Sequence, residues 1–239
     1  MNDRLRFLIS GFFIGIAETL PGISGSTIAV AFGIYERIIR VLSLLRPTNI
    51  SLNFNYIYKT FSLDLMGLLI FSMILGVIFS SKLVMYLLVN FTFIFEIFLS
   101  LSMLLISIFI VKSFNFKNIK LILFVLLGLS TGFLINQIPQ ITTHQSFISL
   151  ILIGAIAFTF FMIPGISGSA ILLTFGAYEL IWGAVAEFNF SIIFPFSIGC
   201  FLSLFVMPKI ISDLVEKYNY QLMSFFSGLI FMAGINLLF

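Results

Sequence analysis

Apolar runs broken by short polar or basic patches occupy almost the whole chain. Runs at 61–81, 84–111, 120–137, 190–208 and 220–238 are each long enough for a transmembrane helix, which needs about 18 apolar residues or more. Two further stretches behave differently. The apolar arms at 7–17 and 26–35 hold 11 and 10 residues, only about 17 Å and 15 Å of helix at ~1.5 Å per residue. Each reaches about halfway through a hydrocarbon core of roughly 30 Å. A polar turn joins them, so the pattern predicts a re-entrant hairpin over 5–45. A second hairpin is predicted over 147–186, with a longer entry arm at 147–163. The expected class is an all-α integral membrane protein with two hairpins and about five full transmembrane helices.

The two turns are copies. PGISGSTIAVAFGIYE (21–36) and PGISGSAILLTFGAYE (164–179) are identical at 11 of 16 positions without a gap and lie 143 residues apart. Internal duplication is common in secondary transporters. The division expected is 1–137 for the first repeat and 145–239 for the second.

Charge supplies the orientation. With both segments as hairpins, eleven of the twelve lysines and arginines fall on one side, Lys82 alone falling opposite. Single broken crossings would split them seven to five. The positive-inside rule selects the hairpins and puts the basic side, with the N-terminus, in the cytoplasm. Two full-length helices per segment would preserve that sidedness. Three crossings separate the hairpins, so the repeats are expected to have inverted topology, their turns meeting near the midplane.

Composition narrows the function. The chain is 61% hydrophobic and 9% charged, against about 25% charged in an ordinary soluble protein. Its net charge of +3 therefore reports membrane orientation, and nucleic acid is not an expected partner. Residues 1–22 lack an A-x-A-like cleavage site and are read as a retained segment. Cys200 is the sole cysteine, which excludes an internal disulfide, and it is read as a packing residue. No cofactor or metal is expected.

Within lipid an irregular turn must be buried in protein or line a wet cavity. Proline ends the entry arm, and glycine permits close backbone approach. The return helix then begins with free N–H groups and serine hydroxyls, an arrangement suited to an anion such as phosphate. The candidate phosphate-binding residues are Gly22, Ser24, Gly25, Ser26 and Thr27 in the first copy. In the second they are Gly165, Ser167, Gly168 and Ser169. The alternative is that the glycines serve packing and the serines cap their own helices. Gly11/Gly15 and Gly128/Gly132 have the GxxxG spacing of helix contacts.

Ionisable residues at membrane depth are functional candidates. Glu18 lies three residues before Pro21, where the second copy has Phe161, and Glu96 lies midway along 84–111. Both are candidates for coupling to a proton or sodium ion. Glu36 and Glu179 recur at the ends of the return arms, as gates or as interfacial partners of Arg37 or Arg40.

G-I-S-G at 22–25 and 165–168 matches the GxSG motif of rhomboid proteases, but a serine nucleophile needs a positioned base. The only histidine, His144, falls in a predicted outer loop. The longer strings GFFIGIAETLPGISGSTIAVAFGIYER and MIPGISGSAILLTFGAYE resemble the paired signatures of the polyprenyl-phosphate transporter family, in motif order and hydropathy across essentially the whole chain. The resemblance implies a flippase that returns undecaprenyl phosphate, the lipid carrier of cell-wall sugars, from the outer to the inner leaflet. It also matches Glu18 to an acidic residue, commonly Asp, that precedes the first PG. Ser26 stands where the family's first turn commonly has a second glycine. A small-ion channel or exchanger built on inverted hairpins is the competing transporter reading.

Overall fold

The computed structural model describes residues 2–20, 23–45, 53–112, 118–138 and 146–238. Among these the protein is an all-α membrane protein. Its helices are α1 (Asp3–Glu18), α2 (Gly25–Ala31), α3 (Tyr35–Ser43), α4 (Phe54–Thr60), α5 (Leu63–Asn90), α6 (Thr92–Lys112), α7 (Ile119–Gln137), α8 (Phe147–Phe161), α9 (Gly168–Thr174), α10 (Tyr178–Ala186) and α11 (Phe190–Asn236). By length and composition α5, α6 and α11 can each cross a membrane, while α7 and α8 are shorter apolar helices.

Two helix limits differ from the hydrophobic pattern. The break between the runs near 61–81 and 84–111 falls at Phe91, because the polar Ser80–Lys82 stretch stays within α5. Ser80 satisfies its hydroxyl against Thr19, at 3.1 Å. The runs at 190–208 and 220–238 form one 47-residue helix, α11. At ~1.5 Å per residue it would extend about 70 Å, more than two core thicknesses. Pro195 and Pro208 lie inside it, and helical geometry lapses at Tyr218 (φ −132°, ψ 39°), which divides it into two arms.

Small residues let these helices approach, as expected where lipid offers no hydrophobic drive for association. A β-carbon on Gly11 or Gly15 would overlap α5 at Ser72 or Met73. Gly154 and Gly199 serve the same purpose between α8 and the first arm of α11, and Gly128 and Gly228 between α7 and its second arm. Large apolar side chains such as Phe79, Phe93 and Phe109 point outward, as a lipid-facing surface requires.

The two PGISGS segments build the same series of helices. α1, α2 and α3 hold 16, 7 and 9 residues; α8, α9 and α10 hold 15, 7 and 9. The shared Phe-Gly dipeptide ends each seven-residue helix. Gly33 and Gly176 adopt φ of +64° and +58°. Ile34 N–H then donates to Ala29 O at 2.9 Å, and Ala177 N–H to Leu172 O at 2.8 Å. This is the Schellman closure, which glycine adopts at little steric cost. The expected ten-residue return arm at 26–35 is therefore two pieces, and α9 and α10 meet at a bend of 114°. Glu36 and Glu179 consequently lie in the first turns of α3 and α10, not at the end of a return arm.

Candidate functional site

Each serine motif leads into a short helix from an extended residue, Ser24 (φ −100°, ψ 136°) and Ser167 (φ −90°, ψ 132°). That is N-cap backbone geometry, yet neither side chain caps its helix. The hydroxyls pair within each motif instead, Ser24 with Ser26 at 2.6 Å and Ser167 with Ser169 at 2.7 Å. Self-capping is therefore not what these serines do.

The copies differ at their first helical amide. Gly25 N–H donates to Glu18 Oε1 at 3.0 Å. In the second copy Phe161 replaces the carboxylate, and Gly168 N–H has no acceptor among the described residues.

The turns meet. Gly165 N–H donates to Thr27 Oγ1 at 3.0 Å, Tyr35 O–H donates to Met162 O at 3.0 Å, and Ser24 Oγ lies 3.5 Å from Phe161 O. Beside this junction is a cavity of about 540 Å³, with Glu18, Ser24, Ser167 and Ser169 on its polar side. Val77, Phe158 and Phe196 contribute apolar wall, and among the described residues no lysine or arginine lines it. A smaller cavity of about 120 Å³ is lined by Glu18, Gly25, Ser26 and Tyr35. A third, of about 200 Å³, runs from Gly165 and Ser167 to Asn236. An anion in the cavity of about 540 Å³ would meet hydroxyls and backbone amides rather than a cationic side chain of the described residues. Among the described residues its ionisable lining is the Glu18 carboxylate and the Cys200 thiol.

The other sequence candidates scatter. Gly22 and His144 lie outside the described residues. Thr27 is fully buried, its oxygen committed to Gly165. A β-carbon on Gly165 would stand 2.6 Å from Ile230 N, so packing alone demands glycine there. Glu96 sits half-buried in α6 and is not among the residues lining the serine cavities.

The expected pairing of Glu36 with Arg37 or Arg40 is not what forms. Glu36 accepts from Asn219 at 2.6 Å, while Arg37 pairs with Asp3 at 2.8 Å and lies 5.3 Å from the Phe7 ring centroid. Consecutive helical residues do not face each other, which removes Arg37 as a partner. Arg40 and Glu179 are exposed and make no ion pair among the described residues.

Two contributors escaped sequence reasoning. Arg6, counted only as a basic flank, donates through Nε to Phe32 O at 2.6 Å and closes the end of α2. Tyr35 joins the copies, and its recurrence as Tyr178 was the available signal. Among the described residues no three His, Cys, Asp or Glu side chains are grouped to hold a metal ion.

Residues 14–238 match the family described as undecaprenyl phosphate translocase-like. A Vibrio cholerae protein named polyprenyl-phosphate transporter is 28% identical over 237 residues, covering 95% of this chain and 75% of the relative. No solved structure matches. With both serine motifs and every helix from α2 to α11 inside the matched region, the chain belongs to the undecaprenyl phosphate translocase-like family.

Proposed function

We propose that this protein carries undecaprenyl phosphate, or a closely related polyprenyl phosphate, from the outer to the cytoplasmic leaflet of the inner membrane, for lipid-carrier recycling. The observation that carries the reading is convergence: Ser24, Ser167 and Ser169, drawn from copies 143 residues apart, share one cavity with apolar walls. The name of the Vibrio cholerae relative supports the substrate class. In this reading the two repeats have inverted topology, the N-terminus is cytoplasmic, and the phosphate sits at the PGISGS turns while the tail stays in lipid.

Glu18 gives the cycle its coupling. A phosphate and a carboxylate in one weakly screened cavity repel each other. A proton on Glu18, or a cation beside it, relieves that repulsion and enters with the substrate.

Binding by purified protein tests the proposal. Ser24→Ala or Ser167→Ala should each weaken undecaprenyl phosphate binding about fivefold, the equivalent of ~1 kcal/mol for a lost neutral hydrogen bond. Short-chain prenyl phosphates should compete, and the neutral alcohol should not. Equal competition by alcohol and phosphate would remove the phosphate site. An ion flux indifferent to lipid phosphate would select the exchanger reading.

A further inference from the structure

We propose that Glu18 and Phe161 together form the partition that the phosphate headgroup must pass, an inference that rests on the transport reading above. Positions 18 and 161 occupy the same place in the two copies, 143 residues apart. Among the described residues, Glu18 and Phe161 are the two that line both the cavity of about 540 Å³ and the one of about 120 Å³. A side chain exposed to two neighbouring cavities is the wall between them.

The serine motifs are distributed across that wall. Ser167, Gly168 and Ser169 line the larger cavity, whereas Gly25 and Ser26 line the smaller. Ser24 faces the larger cavity and Ser26 the smaller, with their hydroxyls 2.6 Å apart. A headgroup leaving the second motif therefore has a hydroxyl waiting on each side of the partition, and the first motif receives it.

The two halves close by different means. Glu18 is held by Gly25 N–H at 3.0 Å and opposes an anion by charge. Phe161 stacks on Phe158, with centroids 5.8 Å apart and planes 28° from parallel, and it blocks by bulk. Phe161 keeps 38% of its surface exposed, so its ring can turn aside without dismantling a packed core. Passage thus needs two events, neutralisation or withdrawal of the carboxylate and rotation of the ring.

Thiol labelling of the full chain in vesicles tests the partition without any lipid substrate. In a Cys200→Ser background, Val185→Cys reports the larger cavity and Leu42→Cys the smaller. A charged, impermeant methanethiosulfonate reagent should label each from one face, and the two faces should be opposite. Adding Phe161→Ala should raise labelling from the far face about tenfold, as expected for a barrier lowered by ~1.4 kcal/mol. Phe161→Leu should act in the same direction and serves if the alanine variant does not fold. Unchanged sidedness in the folded variants overturns the partition.

In parallel, Phe161→Trp should slow leaflet-to-leaflet movement of undecaprenyl phosphate about tenfold. A tryptophan variant moving lipid at the wild-type rate likewise overturns it. A wild-type protein that moves no polyprenyl phosphate, with the labelling change present in the Phe161 variants, refutes the transport reading and leaves the partition standing.

Discussion

Thr27 Oγ1 accepts the backbone N–H of Gly165 at 3.0 Å, so a side chain of the first PGISGS segment satisfies the main chain of the second. The bond is not reciprocated, because the residue equivalent to Thr27 in the second copy is Ala170. Thr27→Val keeps the shape but leaves that N–H orphaned in the interior, at a cost of about 1–3 kcal/mol. Thr27→Ser restores the acceptor. The valine variant should melt at lower temperature in detergent than the serine variant, and equal melting would show that the bond contributes nothing.

Glu18→Gln retains an oxygen able to accept from Gly25 N–H while removing the titrating charge. If Glu18 couples transport to an ion gradient, the glutamine variant should bind undecaprenyl phosphate yet lose gradient-driven uptake in vesicles. Uptake at the wild-type rate with an unaltered response to pH would end the coupling role.

The two motif glycines should differ in severity. A β-carbon at Gly25 would collide with the Glu18 carboxylate and stand 2.8 Å from Ile14 Cγ2. At Gly168 its nearest neighbours are Ala157 O and Phe161 Cβ, both at 3.2 Å, a squeeze that a few tenths of an ångström relieves. Gly25→Ala should therefore impair transport more than Gly168→Ala, with folding checked by gel filtration. The opposite order would mean that Glu18 does not hold its observed position during transport.

Orientation can be checked with single cysteines in the Cys200→Ser background. Positions 2 and 48 should react with an impermeant reagent from the cytoplasmic side, and position 188 from outside. Labelling of positions 2 and 48 from opposite sides eliminates the first re-entrant hairpin and, with it, the inverted repeat.

The all-helical membrane class is legible in the sequence because apolar length alone decides whether a segment can satisfy its backbone in lipid. Convergence of the serine motifs follows from duplication, which is visible without coordinates. Finer features were not legible, for identifiable reasons. Within 26–35 hydropathy is continuous, so the stop at Gly33 depends on backbone conformation. Thr27 carries a hydroxyl at a helix start, as an anion ligand would, and only tertiary contact shows that Gly165 takes it. Local charge spacing suggested a partner for Glu36 on its own helix, whereas Asn219 is 183 residues away. Arg6 looked like a solvated flank until the end of α2 came within its reach.

The corner at the end of α2 is lashed by three ties: Arg6 to Phe32 O, Tyr35 to Met162 O and Glu36 to Asn219. The positions matching Tyr35 and Glu36 in the second copy are Tyr178 and Glu179, and among the described residues neither side chain makes a hydrogen bond like its counterpart's. Tyr178 instead packs against the core and the neighbouring Trp182 ring, with centroids 6.2 Å apart. The corner of the first hairpin is thus moored by side chains to Met162 and to α11, and Tyr178 and Glu179 give the corner of the second no matching pair among the described residues. Excursions should concentrate in the second hairpin, where amides from 168 to 178 would exchange with deuterium faster than those from 25 to 35. Matched exchange in the two segments would mean that the moorings carry no load. With them, the duplicated chain has a stator and a rotor made from the same sixteen-residue pattern.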